Sequence, residues 1–399
     1  MATAEQTPRF THPAARDTCP FAPPTAYEQA RREEPVSRVS LWDGSTSWLV
    51  TRHEDIKAVL SDARFSSDST RPGFPFVSEG ARQLNTGQPT IIRMDDPEHA
   101  RFRRMLTGEF MIKKVEALRP EVQRIADDLL DKMTDGRTGA DLVHDFALPL
   151  PSLVICLLLG VPYQDHDFFQ ECSRVLLRRA STAAEVAHAQ GKLADYLFQL
   201  TETKRAQPDG SILSRLAERG DLSTEQISGM GRLLLIAGHE TTANMTALSV
   251  LALLRNPDQL AHLREHPESV PGAVEELLRY LSIVHSGLTR VATEDVDVAG
   301  VRIRAGEGVI CMVSAANRDE REFPEADELD VTRDARRHLG FGFGVHQCLG
   351  QPLARLELQI ALGTILRRLP ELRLAVPFED ISFRGEMLVY GVHALPVTW

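Results

Sequence analysis

Long uncharged stretches are missing from this chain of 399 residues. A membrane-spanning helix needs about 20 nearly uncharged apolar residues. The two most apolar runs, 146–161 and 233–254, are broken by prolines in the first and by His239-Glu240 in the second. Cysteine is sparse. Cys19, Cys156, Cys172, Cys311 and Cys348 are odd in number, widely spaced and without a CxxC, which excludes a disulfide scaffold and a zinc finger. Positive charge is short as well: 45 Lys+Arg stand against 56 Asp+Glu, a formal charge of −11, the opposite of a nucleic-acid binder. Only six of the 45 basic residues are lysine, a bias that reads as genomic rather than functional. The opening MATAEQTPRFTHPAAR has no apolar core and is not a secretory signal. The expectation is a cytoplasmic protein that uses neither membrane nor nucleic acid.

What is present is apolar residue content of 43%, enough for one large core. Two β-like runs, 36–41 and 47–51, flank an Asp43-Gly44 turn, a hairpin signal. Helical periodicity covers 98–110, 120–133, 152–160, parts of 185–204, 224–255, 258–266, 271–281 and 351–369. Strand signals return late: 295–303 around Gly300, 308–313, and 388–396 with a turn expected at Gly391. No repeat or linker is visible. The expected fold is mainly α with a minor β portion, in a single domain over 1–399.

The most informative segment is FGFGVHQCLG at 341–350, immediately before an amphipathic helix. A cysteine at a helix start faces free N–H groups and the positive end of the helix dipole, which favour a thiolate. Gly342, Gly344 and Gly350 allow close backbone approach to something large and flat. A lone thiolate without His or Cys companions is wrong for zinc and right for the axial ligand of a haem iron. The segment resembles the haem-binding loop of the cytochrome P450 monooxygenases, in Phe341, Gly344, His346, Cys348 and Gly350.

That resemblance implies the cytochrome P450 fold, with a long central helix over haem b and small β-sheets, and it implies the roles that follow. Cys348 ligates the iron. Within LLLIAGHETTANM, Glu240 and Thr241 match the acid–alcohol pair, Thr241 holding water beside the oxygen site and Glu240 relaying protons, with Ala237 against the haem. Gly238, a poor helix former, suggests a local opening of the helix. Glu276 and Arg279 match the ExxR motif and Arg333 its third partner, a structural network. The motif alone is weak, because Glu28/Arg31, Glu98/Arg101, Glu121/Arg124 and Glu171/Arg174 share its spacing. His99 and Arg103, four apart on one helical face, with Arg290 and His346, match the partners of the haem propionates.

The likeness runs from about residue 35 to the end, and is nearest to the actinobacterial branch that hydroxylates vitamin D, macrolides and polyenes, through LLLIAGHETTA, GAVEELLRYL, RAGEGVI and LPVTW. It implies O2 as co-substrate, with NAD(P)H electrons arriving through a ferredoxin reductase and a ferredoxin. Arg101 and Arg104 are the candidate docking residues for the ferredoxin, and a monomer follows by analogy. Apolar segments expected to line the substrate contain Phe74 and Phe76, Leu234 and Gly238, Ile283 and Leu288, and Leu388, with the helices near 168–179; His285 and Arg71 are candidate polar contacts. They favour a hydrophobic natural product. The alternatives are a peroxide-driven or rearranging haem-thiolate enzyme and a non-catalytic haem-thiolate sensor.

Overall fold

A computed structural model describes residues 7–87 and 90–399. Its spine is the helix Thr224–Arg255, called the central helix below. Ser223 and Gln226 begin it with reciprocal side-chain caps: the Ser223 hydroxyl accepts from the Gln226 N–H, and the Gln226 carbonyl accepts from the Ser223 N–H. Pro257 ends it, because a residue preceding proline is driven out of helical geometry; Asn256 sits at φ −126°, ψ 75°. At 32 residues it is roughly 48 Å long. Every residue in 242–253 is buried, so the helix is wrapped by others there; along its length it packs on Pro149–Leu159, Ala183–Ala206 and Gln351–Arg368. One buried apolar cluster extends from Phe21 to Val397.

The main sheet has five strands in the order Val36–Ser40, Thr46–Val50, Gly308–Cys311, Leu288–Ala292 and Phe65–Ser66. The second and third pair in parallel and the rest antiparallel. The expected hairpin over Asp43-Gly44 is present, and Val296–Val298 pairs with Val301–Ile303 across Gly300. Pro149 takes the first helical position of Pro149–Leu159, where the N–H it lacks is not needed. That helix therefore starts three residues earlier than periodicity placed it.

Two expectations are corrected. Gly391 is not a turn residue: the chain reverses at 384–387, where the Met387 N–H reaches the Arg384 carbonyl, and Phe383 bridges to Val392. A Cβ at Gly391 would collide with the Asn244 side chain, so this glycine lets the C-terminal segment touch the central helix. The central helix also does not open at Gly238; it is unbroken α-helix throughout. A Cβ at Gly238 would press on Ile155, so the missing side chain serves close packing against Pro149–Leu159.

Candidate active site

Backbone bonds fold the cysteine loop before the side chains act. The Gln347 N–H donates to the Gly344 carbonyl at 3.0 Å and the Cys348 N–H to the Phe341 carbonyl at 2.8 Å. Gly344 takes φ +73°, and a Cβ there would strike the Leu60 carbonyl; only glycine meets both demands. The loop delivers Cys348, with an exposed side chain, to the start of Gln351–Arg368. Surrounding atoms still crowd the thiol, so desolvation pushes it up. Backbone N–H groups of Gly350 and Gln351 and the cations Arg103 and Arg355 pull it back toward thiolate. Burial drives Cys156 and Cys311 up to about 12, and neither has such a set of opposing donors.

Basic side chains gather beside that loop. The His99 and His346 rings lie 4.0 Å apart. His99 Nδ1 faces Asp96 at 3.0 Å, and its Nε2 is buried without a partner. Arg103 donates to the Gln347 carbonyl. Burial pushes His346 down to about 3, helped by the charges of Arg290, His99 and Arg103. Arg290 is buried, and burial lowers it too. Next to it stands Arg93, lowered to about 10 by desolvation and by Arg290; nothing in the sequence had singled it out. The nearby Asp95 is taken by Ser66 and the Ser67 N–H. Arg290 is buried and Arg93 and Arg103 are half-buried, with no carboxylate among the described residues hydrogen-bonded to any of them, and cations so placed call for an anion. The orphaned His99 Nε2 and these arginines therefore fit a large group carrying carboxylates.

Behind the loop lie two ion networks. Glu276 and Arg279 pair bidentately at 2.7 and 2.8 Å, both fully buried. Arg333 joins at 3.3 Å, and Arg279 also donates to the carbonyls of Asn317, Ala326 and Glu328. Asn317 passes the order on by accepting the Leu339 N–H at 2.7 Å. The second network was not anticipated. Glu275 accepts from Arg355, which lies under the Phe341 ring, and faces His338. Burial pushes Glu275 up, but these two partners hold it down at about 2.

On the central helix, Ala237 is exposed and Thr241 half-buried, although the next three turns are buried throughout. The Thr241 hydroxyl donates to the Ala237 carbonyl at 2.7 Å. Glu240 is buried, and its Oε2 accepts from Arg384 at 3.0 Å and Asn244 at 3.2 Å. Arg384 also donates to the Asn244 side-chain oxygen, Oδ1, at 3.2 Å. Neighbouring His239 points away, its Nδ1 on the Leu235 carbonyl, and burial lowers it.

The family model for cytochrome P450 matches residues 26–374. The chain belongs to the cytochrome P450 family. Cytochrome P450-SU2 of Streptomyces griseolus is 66% identical over 403 residues, covering 100% of both chains. The vitamin D3 dihydroxylase of Streptomyces griseolus is 46% identical, again over 100% of both. The crystal structure of CYP105P1 in complex with filipin I superposes with a TM-score of 0.92 at 43% identity, covering 98% of each chain. This chain is thus a cytochrome P450 monooxygenase of the actinobacterial type, with the mainly α fold of that family. Such enzymes use haem-thiolate chemistry and O2.

Within this P450, the residues expected to line the substrate fall into two groups. Phe76, Leu288 and Leu388 are half-buried. Phe74, Leu234 and Ile283 are buried, Phe74 with its ring 5.0 Å from the Arg93 guanidinium. Leu288 touches the loop, 3.4 Å from where a Gly342 Cβ would stand. Neither candidate polar contact is free: His285 Nε2 is bound to the Met387 carbonyl at 2.6 Å, and Arg71 lies near Asp68 and Asp95. Arg101 and Arg104 are exposed and, with Met105, Arg219 and Asp221, line a shallow surface depression. No helix among the described residues is long and apolar enough to cross a membrane.

Proposed function

We infer that this P450 hydroxylates a hydrophobic natural product, a macrolide, polyene or sterol-like compound, with NAD(P)H electrons delivered through a ferredoxin reductase and a ferredoxin. The observation that carries the reading is Cys348: a thiol at a helix start, approached by two backbone N–H groups and two arginines. When bound, haem b supplies the chemistry that consumes O2, two electrons and two protons, placing one oxygen atom in a C–H bond and releasing the other as water.

The chain's own residues do the rest. Cys348 is the iron ligand, and Phe341 and Gly350 frame it. His99, Arg103, Arg290 and His346, joined by Arg93, hold the two propionates; a bidentate guanidinium is the natural partner of a carboxylate. Ala237, exposed and small, would leave room for the haem when it is bound. Thr241 orients water through its hydroxyl, and Glu240 hands protons inward from the Arg384–Asn244 side. Glu276, Arg279 and Arg333 keep the loop in register without touching the chemistry. Ferredoxin, an acidic protein, docks against Arg101 and Arg104. The names of the vitamin D3 dihydroxylase and of the filipin I complex support a bulky apolar substrate.

The test is stoichiometric. Purified protein with ferredoxin, its reductase and NADPH is offered a panel of polyenes, macrolides and secosteroids. Product in step with NADPH consumption is expected. Turnover with hydrogen peroxide alone would favour a peroxide-driven enzyme, and spectral binding without any product would favour a sensor. Reversing the charge of Arg101 and Arg104 should slow ferredoxin-driven turnover and flatten its salt dependence; an unchanged rate would remove the docking assignment.

A further inference from the structure

A second group of cations lies where four segments converge: the N-terminal stretch, the end of His166–Leu177, residues 282–288 and residues 383–392. Hydrogen bonds tie them together. His12 Nε2 meets the Ser286 carbonyl at 3.1 Å, and the Tyr27 hydroxyl meets His12 Nδ1 at 3.2 Å. His285 is held by Met387, as described, and the Tyr390 N–H donates to the Ile283 carbonyl at 2.9 Å. Two guanidinium groups stand here. Arg16 lies 3.8 Å over the Tyr390 ring and donates to the Pro20 and Ala22 carbonyls. Arg179 donates to the Gly385 carbonyl, and its own N–H to the Glu386 carbonyl.

Among the described residues, no carboxylate hydrogen-bonds to either guanidinium; their acceptors are backbone carbonyls. The side chains acting on Arg16 are Tyr390, Tyr27 and Cys19, none of them a carboxylate, and a further cation, Arg318. Arg179 feels the charge of one carboxylate, Glu386, whose side-chain oxygen lies 3.0 Å from His393 Nε2 and makes no hydrogen bond to the guanidinium. Both histidines are neutral: burial first, then the arginines, push His12 to about 4 and His285 to about 3. Most tellingly, Arg16 Nε, Arg179 Nε and the Ser286 hydroxyl are buried with no hydrogen-bond partner, and Ser286 is only 6% exposed. Three orphaned donors, two on guanidinium groups and one a serine hydroxyl, are costly unless an anion completes them. The flanking residues are apolar on the side of Ile283 and Leu388.

We propose that Arg16, Arg179 and Ser286 form a carboxylate-binding subsite that takes the acid group of an otherwise apolar substrate. The assignment rests on the reading above that Ile283 and Leu388 border the substrate. Two guanidinium donors and one hydroxyl suit a carboxylate, which accepts at both oxygens, and a metal cation would be repelled. The substrate would then be an apolar acid anchored at one end, leaving its hydrocarbon body to reach toward Thr241.

The test uses calorimetric titration of the haem-loaded protein with three probes: laurate, methyl laurate and inorganic phosphate. Laurate should bind more tightly than its ester. Arg179→Gln should weaken laurate by about tenfold or more, the scale of one lost charge-assisted pair, while the ester's affinity stays put. Ser286→Ala should act in the same direction and less strongly. Arg16 is left intact because it also holds the Pro20–Ala22 turn. The proposal is overturned if laurate fails to bind, if it binds no better than the ester, or if Arg179→Gln leaves it unaffected. Phosphate binding that depends on Arg179, with no preference for laurate over the ester, would mark a free-anion site and overturn the substrate assignment. A reduced, CO-treated sample of the same batch lacking a red-shifted Soret band would contradict the haem-thiolate reading instead.

Discussion

Glu276 and Glu240 are both buried acids on helices, and both face an arginine, yet they are tied in different ways. Glu276 accepts four hydrogen bonds shared between its two oxygens, from Arg279 twice, from the Asp330 N–H and from Arg333. Glu240 accepts from Arg384 and Asn244, both at Oε2. A saturated carboxylate is fixed and can neither turn nor exchange a proton. One held at a single oxygen, next in sequence to a half-buried threonine, keeps the freedom that proton delivery needs. The first network builds the loop that carries Cys348; the second stands beside the chemistry.

That contrast can be broken in stages. The largest effect is expected from Arg279→Ala, which removes the bidentate partner of the fully buried Glu276 and leaves it only the 3.3 Å contact to Arg333 and the Asp330 N–H, at ~3–5 kcal/mol. Urea denaturation and haem content should both show it, and a variant as stable as wild type would dismantle the structural assignment. Next come Glu240→Gln and Thr241→Ala. Each should fold and hold haem, but product formed per NADPH should fall, by up to ~10²-fold in rate. Intact coupling in both would remove the proton-relay role.

The Glu275 carboxyl offers a pH version of the same comparison. It is held at about 2 in the folded protein against an ordinary 4.5. Its contribution is therefore complete above pH 4.5 and is lost as pH falls from there toward 2. Glu275→Gln should be less stable at neutral pH and should show a shallower loss between those limits; identical slopes would show that Arg355 and His338 do not hold it. The smallest effect is expected at Glu121/Arg124, which has the spacing of Glu276/Arg279 but is exposed on both sides. Glu121→Ala should leave the urea midpoint where it was.

That last pair shows where sequence reading stops. Local chemistry was legible: the Cys348 loop, the hairpin at Gly44 and the identity of the central helix all follow from neighbours in the chain. ExxR spacing occurs eight times, and only Glu276/Arg279 has both members buried, so family position was needed to choose. Partners distant in sequence were invisible. Arg384 reaches Glu240 across 144 residues and Arg355 reaches Glu275 across 80. Arg93 looked like any other arginine in an arginine-rich chain. Gly391 and Gly238 were read as backbone devices, whereas each serves the close approach of a neighbouring segment, a fact only the packed structure contains.

The central claim is that Cys348 binds haem iron as a thiolate. The direct measurement is the visible spectrum of purified protein reduced with dithionite and exposed to CO, beside Cys348→Ser. The account predicts a strongly red-shifted Soret band in the wild type and its loss in the variant. A band at the ordinary histidine-haem position in the wild type, or a red-shifted band that survives in Cys348→Ser, would contradict it.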